Sequence, residues 1–383
     1  ETQERILYHM EKAYNDVIWT LPDNFDQREA FNTVIPRLEM DASPGYPYNQ
    51  EATTNGLWLK WNGLSADPIQ LERLWFDVQK VLRNEFEMFL RVFIKMEPHK
   101  KSKVEAKRWR LIVAAPLAVQ IAWQMLFHIM NDLEIDKAYY TPSQQGLTMV
   151  AGGWKTFKAQ WDAKGLTGSL DKSAWDWTAP KWALDLDLQF RRRMARGSRV
   201  SDWYNIAEHL YDNMFNNPIW LTTTGQLYRQ VVPGIMKSGC VNTISTNSHC
   251  QVMLHLLVCF DAGIPIEPLP VCCGDDTLNH PRHLDMVHLY ARYGIKIKSV
   301  SDTMEFMGHV FYDHGPKPSY AMKHLFKIPY TTDEILPQYM DSMARMYVHD
   351  EEYFSFWELL ARKNGTPLPL SREAYLYWYN YAD

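Results

Sequence analysis

Carboxylates at the ends of apolar strands are the residues of this 383-residue chain best suited to chemistry. Gly274-Asp275-Asp276 follows Val271-Cys272-Cys273 and precedes Thr277-Leu278. That pattern predicts two short strands joined by a tight turn with adjacent acids at its tip. Asp-Asp is also ordinary turn chemistry. A second run adds weight: Leu166-Thr167-Gly168-Ser169-Leu170-Asp171 is strand-like and ends in a carboxylate. If that strand lies beside the 271–278 hairpin, three carboxylates converge against apolar walls and repel one another unless cations intervene. Mg²⁺ takes oxygen ligands from one or two carboxylates plus substrate phosphates. Two such ions about 4 Å apart clamp the attacking and leaving oxygens of an in-line phosphoryl displacement. The expected chemistry is nucleotidyl transfer at Asp171, Asp275 and Asp276, with Mg²⁺ as cofactor and Mn²⁺ as a substitute.

Two further patterns fit an anionic nucleotide. Ser238-Gly239-Cys240-Val241-Asn242-Thr243 opens a long helical pattern, and Asn247 follows Thr243 by four residues, so their polar ends share a face. The bland reading is a capped, buried helix. The functional one is a row sensing a ribose 2′-hydroxyl, with Asp176, five residues after Asp171, completing it. Within residues 91–110, eight cations (Arg91, Lys95, Lys100, Lys101, Lys103, Lys107, Arg108 and Arg110) oppose only Glu97 and Glu105. That window carries +6, so with a net charge of -5 the rest of the chain sums to -11. Charge runs are commonly solvated faces. The isolation of this one in an acidic chain, with Leu111-Ile112-Val113 directly after it, predicts a β-ribbon holding phosphates.

The elements that position these groups follow from periodicity. Residues 6–18 predict an amphipathic helix, and Pro22, Pro36, Pro44 and Pro47 punctuate a loop-rich stretch. Helical patterns cover 68–90 and 116–133, and another begins near Pro180 and runs through Arg191-Arg192-Arg193. Residues 219–232 read as a hairpin around Thr224-Gly225, and 331–383 as a helical, aromatic-rich small subdomain.

Composition sets the bounds. A chain this long, 46% apolar, can bury a large core in about two or three domains. Its acidic balance argues against coating nucleic acid through bulk charge. Five cysteines without a Cys-x-x-Cys pair exclude a disulfide scaffold or zinc ribbon and fit a reduced, cytosolic protein. The longest apolar stretch, 111–127, is interrupted by Pro116, Gln120 and Gln124, so no transmembrane segment is expected. The 13 histidines show no metal-ligand spacing. The opening Glu1-Thr2 leaves two readings, an expression boundary or a cut from a longer precursor.

In this order the motifs resemble a positive-strand RNA virus RNA-dependent RNA polymerase, closest to the sobemovirus and polerovirus group. Lys95, Lys103, Arg108 and Arg110 are similar to that family's motif F; Asp171 and Asp176 to motif A; Ser238, Gly239, Thr243 and Asn247 to motif B; Gly274-Asp275-Asp276 to motif C. Ser43-Pro44-Gly45-Tyr46-Pro47-Tyr48 resembles motif G, at the template entrance. Together they cover about seven tenths of the chain. Lys237 precedes Ser238 where picornavirus-like enzymes have proline and sobemovirus-like ones lysine.

The resemblance implies an α+β right hand with an antiparallel palm sheet flanked by helices. Fingers would span 1–138, palm 139–218, a fingers hairpin 219–236, palm again 237–312, and thumb 313–383. It implies Asp171 and Asp275 as main metal ligands with Asp276 supporting. Lys95, Lys103, Arg108 and Arg110 would meet the triphosphate; Asp176, Thr243 and Asn247 the ribose; Ser43, Gly45, Tyr46, Ser238 and Gly239 the RNA. Motif D, source of a general acid, leaves Arg292, Lys296 and Lys298 open. Implied partners are template and product RNA, nucleoside triphosphates, a genome-linked protein primer and other replicase proteins, with recruitment to membrane-associated complexes in the host cytoplasm. The rival readings are a reverse transcriptase, a catalytically dead RNA-binding subunit, and a metal-dependent nuclease. Gly274 before Asp275, where reverse transcriptases usually carry an aromatic, speaks against the first.

Overall fold

The structure, a computed structural model, describes residues 1–381. Its central sheet runs Ile297–Ser301, Gly168–Lys172, Asp276–Asn279, Val271–Cys273, antiparallel throughout. Gly274 turns the hairpin at φ +61°, with nothing near its absent Cβ. Backbone freedom rather than space is what this position requires. One face of the sheet is covered by the 20-residue helix Thr243–Ala262, buried on nearly every side and so a core helix rather than a surface one. Lys181–Met194 and the helical segment Pro281–Tyr293 pack against it, as does the N-terminal helix Thr2–Ala13.

A fully buried polar cluster joins these helices. Arg191 pairs with Asp187 one turn away at 3.1 Å, neither side chain exposed. Tyr211 and Thr246 hydroxyls each donate to Asp187 at 2.7 Å, and Ser245 donates to Glu134 at 2.8 Å. His249 bridges Asp187, at 2.6 Å, and Glu134. Burial alone would depress the imidazole; Glu134 and Asp187 reverse this and hold it above its usual value. Every member has partners, so the cost of desolvating these charges is offset.

A second sheet, Leu111–Ala114, Phe89–Ile94, Ile219–Leu221, Leu227–Arg229, merges the expected basic ribbon with the 219–232 hairpin. The joining pair is parallel, Leu90 opposite Trp220. The helical pattern expected over 68–90 ends at Leu82: Asn84 takes φ +59°, and Phe89–Ile94 is already strand. The loop-rich stretch contains a helix, Arg28–Val34. A third sheet, Glu305–Phe306, His309–Tyr312, Gly315–Pro318, leads into the helices Ala321–Phe326, Leu336–Met346, Glu351–Lys363 and Arg372–Asn380. The last two share a core with the central sheet, through Phe354, Tyr375 and Tyr379 with Trp161, Val271 and Leu278. No helix of the described residues is long and apolar enough to cross a membrane. All five cysteines are free.

Candidate active site

Strand register sets the acids at neighbouring positions, although one oxygen from each of Asp171, Asp275 and Asp276 does not come within 4.8 Å of the other two. Leu170 stands opposite Thr277, so the next step toward the turn sets Asp171 against Asp276, on strands about 4.8 Å apart. Asp275 occupies the turn itself. Strand alternation sends Asp171 to the exposed face, its side chain 57% accessible, and Lys172 into the interior. Half-burial pushes the Asp275 carboxyl up, Lys172 pulls it down, and Asp171 pushes it up again. Asp276 is pushed up to about 7, by burial first and then by Asp275 and Asp171, against a Met307 N–H donated to it at 2.7 Å. Carboxyls resisting ionisation this way fit an oxygen-seeking divalent cation, which removes the repulsion.

Lys298 adds a cation. The Ile297–Ser301 strand slips register between Ile297 and Ser299, and this irregularity places Lys298 Nζ 3.8 Å from Asp171 Oδ2. Of the other open motif D residues, Arg292 pairs with Asp261 at 2.7 Å, while Lys296 is exposed and held beside the Asp171 strand by its main-chain carbonyl, which accepts from the Ser173 N–H at 2.8 Å.

The ribose row forms in part. Asn247 Nδ2 donates to Asp176 Oδ1 at 3.3 Å, while its Oδ1 accepts from the buried Trp175 indole at 2.8 Å. Asp176 is pushed up to about 6 by burial and by Asp275, with Asn247 and Arg110 acting the other way. The Thr243 hydroxyl turns elsewhere, donating to the carbonyls of Cys240 at 2.6 Å and Lys237 at 3.0 Å. It braces the loop that carries Ser238 and Gly239. Ser238 Oγ accepts the Val113 N–H at 3.2 Å, and a Cβ on Gly239 would stand 2.0 Å from the Val113 carbonyl. Lys237, almost wholly buried, donates to the Gly234 carbonyl at 3.0 Å over Phe215 and Trp220, and burial lowers its pKa to about 7.

The basic ribbon holds an internal acid. Glu97 lies 3.4 Å from Lys95 and 3.0 Å from Arg110. Partial burial would raise this carboxyl, but Arg110 and Lys95 outweigh it and hold it below its usual range. Lys103, on the short helix Lys101–Glu105, and Arg108 are exposed and carry no carboxylate partner among the described residues. The 43–48 segment is clamped beneath the ribbon. The Pro44 carbonyl accepts from Leu117 N–H at 2.7 Å, Gly45 (φ +67°) leaves no room for a Cβ against Ala115, Arg91 reaches Ser43 Oγ at 3.5 Å, and Tyr46 packs on Phe89. Tyr320, which the motifs did not single out, stands close enough to the acids that Asp276 and Asp171 add to the burial raising its pKa.

Residues 22–353 match the family model described as viral RNA-dependent RNA polymerase. Protein P1-P2 of Potato leafroll virus is 26% identical across 92% of this chain and 36% of its own length. The RNA-directed RNA polymerase of Mushroom bacilliform virus is 29% identical, covering 62% of this chain and 60% of the relative. Replicase polyprotein P2AB of Southern cowpea mosaic virus is 27% identical over 70% of this chain and 30% of its own. The chain thus spans about a third of the polyprotein relatives and three fifths of the mushroom virus protein. Among solved structures, Sicinivirus 3Dpol RNA dependent RNA polymerase superposes with a TM-score of 0.71 at 18% identity, over 98% of this chain and 84% of that one. The fold is therefore the right hand expected from the motifs.

Proposed function

Because this chain belongs to the viral RNA-dependent RNA polymerase family, we propose that it copies a positive-strand viral RNA genome by template-directed nucleotidyl transfer. The observation carrying this reading is the register that sets Asp171 beside the Gly-Asp-Asp turn. Asp171 and Asp275 would hold a pair of divalent cations, Mg²⁺ with Mn²⁺ as substitute, and Asp276 would support them from its Met307 hydrogen bond. When bound, such cations neutralise charge on the attacking and leaving oxygens. The RNA 3′-hydroxyl would lose its proton to solvent and bond to the α-phosphorus as the bond to pyrophosphate breaks.

The chain's own groups do the rest. Lys95, Lys103, Arg108 and Arg110 bind the triphosphate, opposing charges at about 4 Å being worth roughly 1 to 4 kcal/mol each according to exposure. Asp176 and Asn247 read the ribose, with Thr243 bracing the Ser238-Gly239 loop from below. Lys298, whose Nζ lies 3.8 Å from Asp171 Oδ2, would give a proton to the departing pyrophosphate. Ser43, Gly45 and Tyr46 line the template path, and Ser238 and Gly239 the template–product duplex. Fingers (1–138 with 219–236), palm (139–218 and 237–312) and thumb (313–383) are the corresponding division. Synthesis would run in the host cytoplasm, at membrane-associated complexes reached through other replicase proteins, with a genome-linked protein as primer.

The test is extension of a short RNA hairpin with a recessed end by the purified chain, four ribonucleotides and Mg²⁺ or Mn²⁺. Lengthening supports the reading; shortening of the RNA indicates a nuclease, and a strong preference for deoxynucleotides a reverse transcriptase. Asp275→Ala should abolish turnover and leave RNA binding within a few-fold. Near-normal incorporation by that variant sinks the metal assignment.

A further inference from the structure

A second group of donors lies away from the acids. His255 and Cys259 sit one turn apart on the Thr243–Ala262 helix, and His283 comes from the Pro281–Tyr293 segment packed against it. His255 and His283 are each 1% exposed and Cys259 0%. One donor atom from each lies within 4.8 Å of the other two, and no other such group occurs among the described residues. His255 Nε2 donates to the Ile266 carbonyl at 2.8 Å, and His283 Nε2 to the Pro265 carbonyl at 2.9 Å. The remaining ring nitrogen of each, Nδ1, is buried without a partner. Cys259 Sγ lies 3.5 Å from His255 Nε2.

Backbone carbonyls that fix one imidazole nitrogen are what metal-bound histidines use to set tautomer and ring orientation. Here that leaves two Nδ1 lone pairs desolvated and unpaired, with the Cys259 thiol against the His255 ring. His128, His209 and His349 also bury an unpartnered Nδ1, but none of them belongs to a group of three donors.

We propose that His255, Cys259 and His283 bind one Zn²⁺ ion, with a water completing a tetrahedron. Imidazole and thiolate together select zinc over the oxygen-seeking cations suited to Asp171 and Asp275. Bonds of about 2.0–2.3 Å place tetrahedral ligands roughly 3.3–3.7 Å apart, so a separation at the 4.8 Å limit closes by about 1.1–1.5 Å. Binding releases the Cys259 thiol proton to solvent, and both imidazoles coordinate neutral. The ion would pin the far end of the helix carrying Asn247 to the segment linking the Asp276 and Lys298 strands. Its role is a staple between the ribose-reading helix and the acid-bearing sheet.

The test uses the full chain, stripped with EDTA, exchanged into metal-free buffer and titrated with CoCl₂. One equivalent should bind with a thiolate-to-cobalt charge-transfer band that ZnCl₂ abolishes. Cys259→Ala should lose the band, and His283→Gln should weaken cobalt binding at least tenfold. Cys250→Ala, on the same helix, and Asp275→Ala should keep it, since neither contributes to the trio. Far-UV circular dichroism checks folding. If Cys259→Ala does not fold, the wild-type titration and His283→Gln decide. Absence of a sulfur band in the wild type, or its survival in folded Cys259→Ala, overturns the site.

Discussion

Asn247→Ala separates recognition from support at one residue. Its Oδ1 accepts from the Trp175 indole and its Nδ2 donates to Asp176. Removing the first contact orphans a donor on a residue only 2% exposed, at a cost of about 1–3 kcal/mol. At about 2.1 cal/mol/K per residue, unfolding this chain carries roughly 0.8 kcal/mol/K, so Tm should drop by about 1–4 °C. Losing one hydrogen bond of about 0.5–1.5 kcal/mol near the ribose should cut discrimination between ATP and dATP about two- to tenfold. The assay is single-nucleotide incorporation, reported as the ratio of kcat/KM for the two substrates, alongside a thermal melt. In a Trp175→Phe background the orphaned donor is absent, so Asn247→Ala should cost less Tm there than in the wild type and still leave discrimination low. An unchanged ratio in the single variant, or a ratio that recovers in the double, refutes Asn247 as a reader of the sugar.

Three further outcomes are expected. Lys298→Ala should lower kcat about a hundredfold while RNA affinity by fluorescence anisotropy holds, and an unaltered kcat excludes it as proton donor. Gly239→Ala places a methyl against the Val113 carbonyl, so the loop must shift at a cost of about 1–3 kcal/mol; steady-state turnover should fall about tenfold or more. The His249 imidazole is held above its ordinary pKa, so its stabilisation is complete below the unfolded value of about 6.5 and is lost as pH rises through the higher folded value. Urea midpoints measured from pH 6 upward should fall in the wild type and flatten in His249→Gln; parallel curves would assign the pH dependence to other groups.

Asp171 and the Gly-Asp-Asp turn were legible because strand alternation and turn chemistry are local, and so was the helix bearing Asn247. Thr243 shares the expected face with Asn247, but spacing does not reveal that nearby carbonyls claim its hydroxyl. Lys298 could not be chosen over Lys296 and Arg292, since its position depends on a slip in strand pairing. The parallel pairing of Phe89–Ile94 with Ile219–Leu221 joins segments about 130 residues apart, and neither run encodes its partner. The overlong helix from residue 68 came from continuing an apolar period across Asn84, where the backbone turns left-handed. His255 and Cys259 stand at helical spacing, yet His283 reaches them only through packing.

Glu97 gives the basic ribbon a resident anion of its own. On the proposed reading, a triphosphate arriving there would not meet bare charge; it would have to displace a tethered competitor from Lys95 and Arg110. Weakly charged bystanders such as chloride or a nucleoside monophosphate would gain too little to drive that exchange, whereas a more highly charged polyanion would gain enough. The ribbon would thereby set a threshold on charge before any base is read.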